Sequence, residues 1–590
     1  MIKSDIPNYM KLPAESNPRA PQEIRVLAPS KGLNQLGDAF MIDNKEASDL
    51  LNVMFTQNGI VEKRYGYSTI ASPLENIPKG LTLYKGTERN LVCVDGTKVK
   101  KLVNGVWNNI SDSKEVSGSN VTLTSCRKKL FVWDGVGQTD GGCLIYDDSK
   151  TDGNVYVGTK CPKGKFSVSY KQRQVTAGVD GQPYRLFFSK IASPDIFTIT
   201  DKIESTTTAP LPNNVNDVPG ATVFEDEQNE TAAFCQDINP EDGEMITGLG
   251  FFQDALIVFK EHSIWQAVWT TSNSGSELAV SRITNAYGCI SHGSICTVEN
   301  DCFFLSNDGI YVLGNEPNYY TAIRTNQLSA RVVGVINRIN FNAKQGIRSI
   351  FNDNKYYLLL PLDGYDYNNY MLIYDKRFYA WTLWDIPASG IATYDDELGK
   401  QHVAFTSSVS NKTCQFVEFQ YNDDGEPINA YWRSRAFHGQ KIDYVKLWKI
   451  IRPVFKRLQS RITITYSDEN GEFDVEDKYQ ISKAQHGGLG VDLIGGDTLG
   501  LSNAGYFYID DNGNLVFDDG SEESHKNNNN NSIILNIFVG HESRTFDIKI
   551  SNNNVDENFS LLGFIIQYET KDFNVFNGGD TYLTDNSGVI

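Results

Sequence analysis

Leu91-Val-Cys-Val94 runs into Asp95-Gly96, then Lys98-Val-Lys-Lys-Leu-Val103, Asn104-Gly105 and Val106-Trp107. Asp-Gly and Asn-Gly supply the positive φ angles that tight hairpin turns need, so each marks a strand reversal. The pattern returns as Lys129-Leu-Phe-Val-Trp-Asp-Gly135 and as Ala255-Leu-Ile-Val-Phe-Lys-Glu-His-Ser-Ile-Trp265. It comes again as Cys302-Phe-Phe-Leu-Ser-Asn-Asp-Gly-Ile-Tyr-Val-Leu313, and as Lys355-Tyr-Tyr-Leu-Leu-Leu-Pro361 paired with Met371-Leu-Ile-Tyr-Asp375. The spacing is irregular, at roughly the scale of propeller blades, and no WD or kelch signature accompanies it. The expected fold class is therefore all-β: a degenerate β-propeller, with a sandwich or stacked barrels as the alternative.

A chain of 590 residues exceeds the size at which one core stops growing, so two or three domains are expected. Residues 1–70 read as an extended arm followed by one short helix. Pro7, Pro13, Pro18, Pro21 and Pro29 oppose regular helix in the arm, while Asn44–Leu51 places Ala47, Leu50 and Leu51 on one helical face. Residues 71–430 form the propeller-like body, interrupted at 201–245 by a Thr-, Asn-, Pro- and acid-rich insertion. Asn326–Ile339 reads as a second helix, bearing Arg331 and Arg338. Residues 431–590 read as an additional C-terminal β-sandwich-like domain. It contains a basic strand stretch from Lys446 to Arg461 and an exposed five-Asn tip at 527–531.

The net charge of −19 argues against a surface that grips nucleic acid, which needs clustered Lys and Arg. It permits a surface that DNA slides past, since like charges repel. Nine scattered Cys are no disulfide framework and suggest folding in a reducing cytoplasm. No signal peptide and no membrane segment are read from the sequence.

Searches for reactive chemistry fail. Cys289, His292, Cys296 and Cys302 lack the spacing of a zinc knuckle, and Cys296 and Cys302 fall at apolar strand positions. Asp510-Asp-Asn-Gly-Asn514 has Leu515 and Ser521 where a calcium loop needs Gly and Glu, so it reads as a hairpin. Gly158 to Lys165 has one residue too many between its glycines for a phosphate loop, and Phe166 stands where Ser or Thr is required. Seven His show no partner pattern for a nucleophilic triad. No catalytic residue, cofactor or metal is expected.

Lys31-Gly32-Leu33-Asn34, Leu50-Leu51-Asn52-Val53 and Gly59-Ile-Val-Glu-Lys63-Arg64-Tyr-Gly66-Tyr67 together resemble the N-terminal signature of phage tail nozzle proteins. These are also called tail tubular protein B or packaged-DNA stabilisation proteins. Arg185–Ser189, Leu256–Glu261, Asp308-Gly309-Ile-Tyr311, Leu372–Asp375 and Ala380-Trp381 are similar in order and character. The resemblance spans residues 31 to about 390.

The resemblance implies a propeller with platform and tip insertions, assembled as a ring, commonly hexameric, around a DNA channel. It further implies an upper adaptor or ring protein beneath the portal, and tail fibres or tip proteins as neighbours. Phage double-stranded DNA would pass without specific binding, and the protein would be made in the host cytoplasm and end in the virion tail. An acidic channel wall would repel DNA phosphates; the arm is the candidate for docking, and the 201–245 insertion for gating or tip contacts. The rival class is a host-binding adhesin or polysaccharide depolymerase, which usually carries long β-helix repeats; none is visible.

Overall fold

A computed structural model describes residues 21–150, 155–197 and 233–571, apart from 273–274, 299–300, 317–318, 397, 440–441, 457–461, 470, 474–505, 510–514, 519–531 and 535. Two compact units divide the chain: Tyr65–Arg377 with Leu383–Asp424, and Met1–Arg64 with Phe378–Thr382 and Gly425–Ile590.

The first unit is a β-propeller. Blade 1 runs Pro78–Lys85, Arg89–Asp95, Lys98–Val103 and Val106–Asn109, each strand antiparallel to the last. Blade 2 runs Thr122–Cys126, Lys129–Trp133, Leu144–Tyr146 and Val155–Val157; blade 3 runs Phe166–Tyr170, Arg173–Ala177, Arg185–Phe188 and Phe234–Asp237. Blade 4 is Ile246–Phe252, Ala255–Lys260, Ile264–Ser272 and Gly275–Thr284. Blade 5 is Cys296–Val298, Asp301–Leu305, Ile310–Glu316 and Tyr319–Gln327. Blade 6 is Arg348–Asn352, Lys355–Leu360, Tyr370–Asp375 and Ala380–Trp384.

Blade 7 takes Ala388–Asp395, Gln401–Ser407 and Thr413–Phe416, then borrows its fourth strand, Tyr67–Thr69, from ahead of blade 1. Thr69, Ser68 and Tyr67 pair with Cys414, Gln415 and Phe416, so the ring is latched by two distant parts of the chain. First strands of successive blades lie side by side, and that of blade 7 lies beside that of blade 1.

Blades stack through apolar faces. Val92 and Val94 meet Leu130 and Val132, and Leu186 and Phe188 meet Leu256 and Val258. The closing seam packs Leu81, Leu91 and Cys93 on Ala392 and Ala404. Burial of such faces, at about 25 cal/mol per Å² of apolar surface, is what holds separate sheets in a ring.

The Asp-Gly turns do more than reverse strands. Asp95 carboxylate oxygens accept from the amides of Glu75 and Asn76 at 3.0 and 2.7 Å, just before blade 1 begins. Asp134 does the same for Ser117 and Gly118, both at 3.1 Å, ahead of blade 2. Asp180 pairs with Lys165 at 2.7 Å, and Asp363 with Arg338 at 2.8 and 2.7 Å. Each ties the loop after a blade's second strand to the segment entering its first. Asp308 departs from this, accepting instead from the Tyr311 hydroxyl at 2.7 Å.

The second unit is a β-sandwich. One sheet is ordered Val53–Phe55, Val61–Lys63, Ser560–Thr570, Lys446–Lys456, Ser532–Ile534, Tyr506–Ile509, Leu515–Asp518. Gln22–Leu27 adds to Ser560–Thr570, and Ile537–Ser543 to Lys446–Lys456. The other sheet is ordered Ala47–Leu51, Ala430–Ser434, Asp547–Asn552, Thr463–Asp468, Gly471–Phe473. Aromatic rings bridge the sheets: Trp432 and Phe564 at 5.7 Å, and Trp448 and Phe546 at 5.0 Å.

Several expectations are corrected. Asn44–Leu51 is not a helix; Ala47–Leu51 is a strand paired with Tyr431–Ser434. Glu46, expected in a first helical turn, instead accepts from the Asp43 amide at 2.9 Å and the Asn34 side chain at 2.7 Å. A segment this short gains little from helix on its own, and sheet pairing satisfies its backbone. Residues 1–70 are no separate domain, since Gln22–Leu27 and the strands from Ala47 to Lys63 are built into the sandwich, whose boundary falls at Gly425 rather than 431.

Asn326–Ile339 holds only one helical turn, Val333–Ile336, after a 3-10 turn, because Asn326 and Gln327 are claimed by blade 5. Of the 201–245 insertion, 201–232 lie outside the described residues, and Phe234–Asp237 is the edge strand of blade 3. Pro7, Pro13, Pro18, the turn Asn512-Gly513 and the 527–531 tip also lie outside, although the strands flanking Asn512 pair as a hairpin.

Candidate functional site

The propeller axis holds a cavity of about 1240 Å³, walled by the first strands of the blades and the loops at their entry. That is the scale of a small-molecule site. Blade geometry explains its lining: side chains alternate along each first strand, and one set faces the axis. Many wall hydroxyls are engaged locally. Thr122 donates to Lys165 O at 2.9 Å, Thr297 to Phe251 O at 2.8 Å and Ser349 to Gly293 O at 2.9 Å.

Arg348, the first residue of blade 6, lies at the entry mouth. Its Nη1 donates to Gln345 O at 2.7 Å and Ile347 O at 2.9 Å, and its Nη2 reaches Val121 O of blade 2 at 3.1 Å. Asn120 donates to Gln345 over the same gap. The axis is thus crossed by side chains from opposite blades. Burial lowers the Arg348 pKa to about 10.

His292 belongs to the turn entering blade 5. Its Nδ1 accepts from the Leu249 amide at 3.3 Å, and its ring lies 5.5 Å from that of Phe166. Burial, with Arg348 nearby, pushes its pKa down from 6.5 to about 4. Between those values the unfolded chain holds a proton that the folded one does not, so this histidine makes stability fall as pH drops from 6.5 towards 4. Thermal melts from pH 7 to 4 are expected to show a shallower acid limb in His292→Gln than in the parent. An identical limb would show that His292 is not its source.

The four soft residues weighed for zinc are not assembled as a metal site; no group of three or more His, Cys, Asp or Glu among the described residues could hold one. Cys289 is buried and its thiol donates to Ser291 O at 3.1 Å, while Cys302 is buried with Phe259, Phe304 and Tyr311. Cys296 pairs in register with Phe303 at a half-buried strand position. In the basic stretch from Lys446 to Arg461, of which 457–461 lie outside the described residues, Lys446 is buried and donates to Arg544 O at 3.2 Å, and Lys449 pairs with Glu569.

The signature residues occupy positions that the fold constrains. Within the sandwich unit, Leu33 N donates to Trp381 O at 2.9 Å, and Gly32 (φ +76°) sits so close that a Cβ would lie 2.7 Å from the Trp381 backbone. The Asn34 amide donates to Ala47 O at 2.9 Å, and Leu51 pairs with Tyr431. Asn52, at φ +54°, accepts from the Nε of buried Arg64 at 2.8 Å. Lys63, also buried, donates to Asn552 Oδ1 at 2.8 Å and Asn554 O at 2.9 Å.

Within the propeller, Gly66 and Tyr67 form the latch, and Asp308-Gly309 turns blade 5. Asp375 is buried and holds Arg377 at 2.6 Å. None of these residues, from Gly32 to Trp381, lines the axial cavity, although Glu261, at the end of the similar stretch Leu256–Glu261, does. Sequence reading missed Arg348 and Lys344, because single cations at strand entries carry no local pattern.

No family model and no curated protein matches the chain. Among solved structures, the likenesses include PorZ, a surface component of the type-IX secretion system of Porphyromonas gingivalis. There identity is 14% and the TM-score 0.30; the match covers 65% of this chain but only 44% of PorZ, so the chain spans less than half of that protein's length. The N-terminal domain of Nup159 matches at 9% identity and TM-score 0.32, over 60% of this chain and 94% of that one. A gluconolactonase from Xanthomonas campestris, an enzyme, matches at 9% and 0.26, over 62% and 97%. The propeller itself follows from strand pairing. No helix among the described residues is long and apolar enough to cross a membrane.

Proposed function

We propose that the chain is a non-enzymatic subunit of the tail nozzle ring of a short-tailed phage, lining the DNA ejection channel and helping to retain packaged DNA. The observation that carries this reading is that its ordered signature coincides with what the fold needs. Gly32-Leu33 and Trp381, far apart in sequence, touch; Asn52 and Arg64 interlock; Gly66-Tyr67 latches the propeller. That agreement between the quoted motifs and the contacts of the fold supports the resemblance.

A channel requires heterologous contacts that close a ring, since isologous pairs stop at two. DNA passes at the centre of that ring, between subunits. The propeller's own axis is bridged by Arg348 and Asn120 and is no conduit. A net charge of −19 suits passage without sticking. An adaptor ring above and fibres or tip proteins below complete the set of neighbours, in a virion tail assembled in the host cytoplasm. Purified chain viewed by negative-stain electron microscopy is expected to form closed rings, and mass spectrometry to find it in intact virions. A stable monomer absent from virions would overturn the proposal.

A further inference from the structure

The axial cavity has a charge character that a nozzle subunit does not require. Its charged lining is Lys85, Lys165, Lys344 and Arg348 against Asp134, Asp180 and Glu261, so cations exceed acids by one. Lys165 pairs with Asp180, while Arg348, Lys344 and Lys85 are in no ion pair among the described residues. A cavity with a cationic excess inside a chain of net charge −19 is a contrast that needs a reason.

Arg348 supplies the sharper clue. Arg435 bonds the Phe40 and Ala436 carbonyls and Asn44, whereas Arg185 grips the Asp237 carboxylate through Nε and Nη2 at 2.6 and 2.8 Å, as Arg338 does Asp363. Arg348 instead spends both Nη1 hydrogens and one of Nη2 on backbone carbonyls. Of its five N–H donors, Nε–H and one Nη2–H have no partner among the described residues. Three carbonyls hold the guanidinium rigidly in place, so little ordering is left for a ligand to impose. A charged, pre-oriented donor in a cavity walled by protein favours an anion more strongly than it would in water.

We propose that the axial cavity is a binding site for a small hydroxylated organic anion, a carboxylate or phosphate ester, held by Arg348 with Lys344 beside it. The wall offers main-chain groups and Thr and Ser hydroxyls for the ligand's own hydroxyls, and 1240 Å³ accommodates a molecule of sugar size. The site is independent of ring assembly, and its failure leaves the nozzle reading untouched.

Isothermal titration calorimetry of the full chain with glucuronate, glucose 6-phosphate and uncharged glucose tests this. Saturable binding of either charged sugar, at least tenfold tighter than glucose, is expected, and the tighter of the two names the head group. Arg348→Lys, which keeps the charge but loses the planar fork, is expected to weaken binding about tenfold. Lys344→Gln leaves the bond to Val121 intact and is expected to weaken it about threefold, so the site is testable even if Arg348 variants fold poorly. No saturable binding, glucose binding as tightly as the anions, or unchanged affinity in both variants would each overturn the proposal.

Discussion

Gly66→Ala is expected to open the propeller at its latch, lowering the stability of that unit by about 3 kcal/mol or more. An added Cβ would lie 1.8 Å from Asn422 O and 2.9 Å from Asn422 N, and both are backbone atoms that cannot swing away. Gly66 N donates to Gln420 O at 2.7 Å, and Gly66 O accepts from Val417 N at 3.0 Å. Moving this residue therefore drags Tyr67–Thr69 off blade 7. Tyr67 would also lose its edge-on contact with Phe405, now 5.1 Å between ring centres.

The control is Gly346→Ala, where nothing lies within 4 Å of the new Cβ and the change is expected to stay within about 0.5 kcal/mol. Thermal melts should place the two variants several degrees apart. Hydrogen exchange in Gly66→Ala should rise first in Thr413–Phe416. Equal melting of the two would mean that the latch contributes little.

Trp448→Ala is expected to cost the sandwich about 3–5 kcal/mol, in the range for truncating a buried Trp. The side chain is fully buried, with Phe546 at 5.0 Å and Tyr568 at 5.1 Å, and its Nε1 donates to Ser543 Oγ at 2.9 Å. Truncation opens a cavity between the two sheets and removes one of two hydrogen bonds at Ser543 Oγ, which still donates to Thr545 O at 2.6 Å. Trp448→Phe keeps a ring over Phe546 and loses the Ser543 bond, so roughly 1–2 kcal/mol is expected. Hydrogen exchange localises the effect. Lys446–Lys456 and Asp547–Asn552 should lose protection in Trp448→Ala while blades 1 to 7 keep theirs. Protection unchanged in both strands would refute the role given to this residue.

Trp448 also shows where sequence patterns stop being readable. The stretch from Lys446 reads as an ordinary strand with alternating faces. A bulge between Trp448 and Ile450 shifts the register, so Trp448 and Ile451, three apart, are both buried. Whether a strand bulges depends on its partner, here Ser560–Thr570, more than a hundred residues away in the chain. Ala47–Leu51 misled for the same reason: its apolar residues fit one helical face, and only the neighbour Ala430–Ser434 makes it a strand. In the axial cavity, His292 was visible as a residue but not as a neighbour of Arg348.

What the sequence by itself determined is the β character and the positions of the reversals. Asp95-Gly96, Asn104-Gly105, Asp134-Gly135 and Asp308-Gly309 all lie at strand reversals; in the two-residue loop Asn104-Gly105 both residues are left-handed, at φ +50° and +76°, which is a local steric property. Tertiary structure alone decided which strand closes the ring, which domain the N-terminal strands join and which cations share the axis. Those depend on pairing between distant segments, and a local pattern carries no information about the partner. The Asp of an Asp-Gly turn such as Asp95-Gly96 or Asp134-Gly135 joins the two levels. Its turn is legible from two residues, but its second task, tying the entry of its own blade, exists only once the blade has folded.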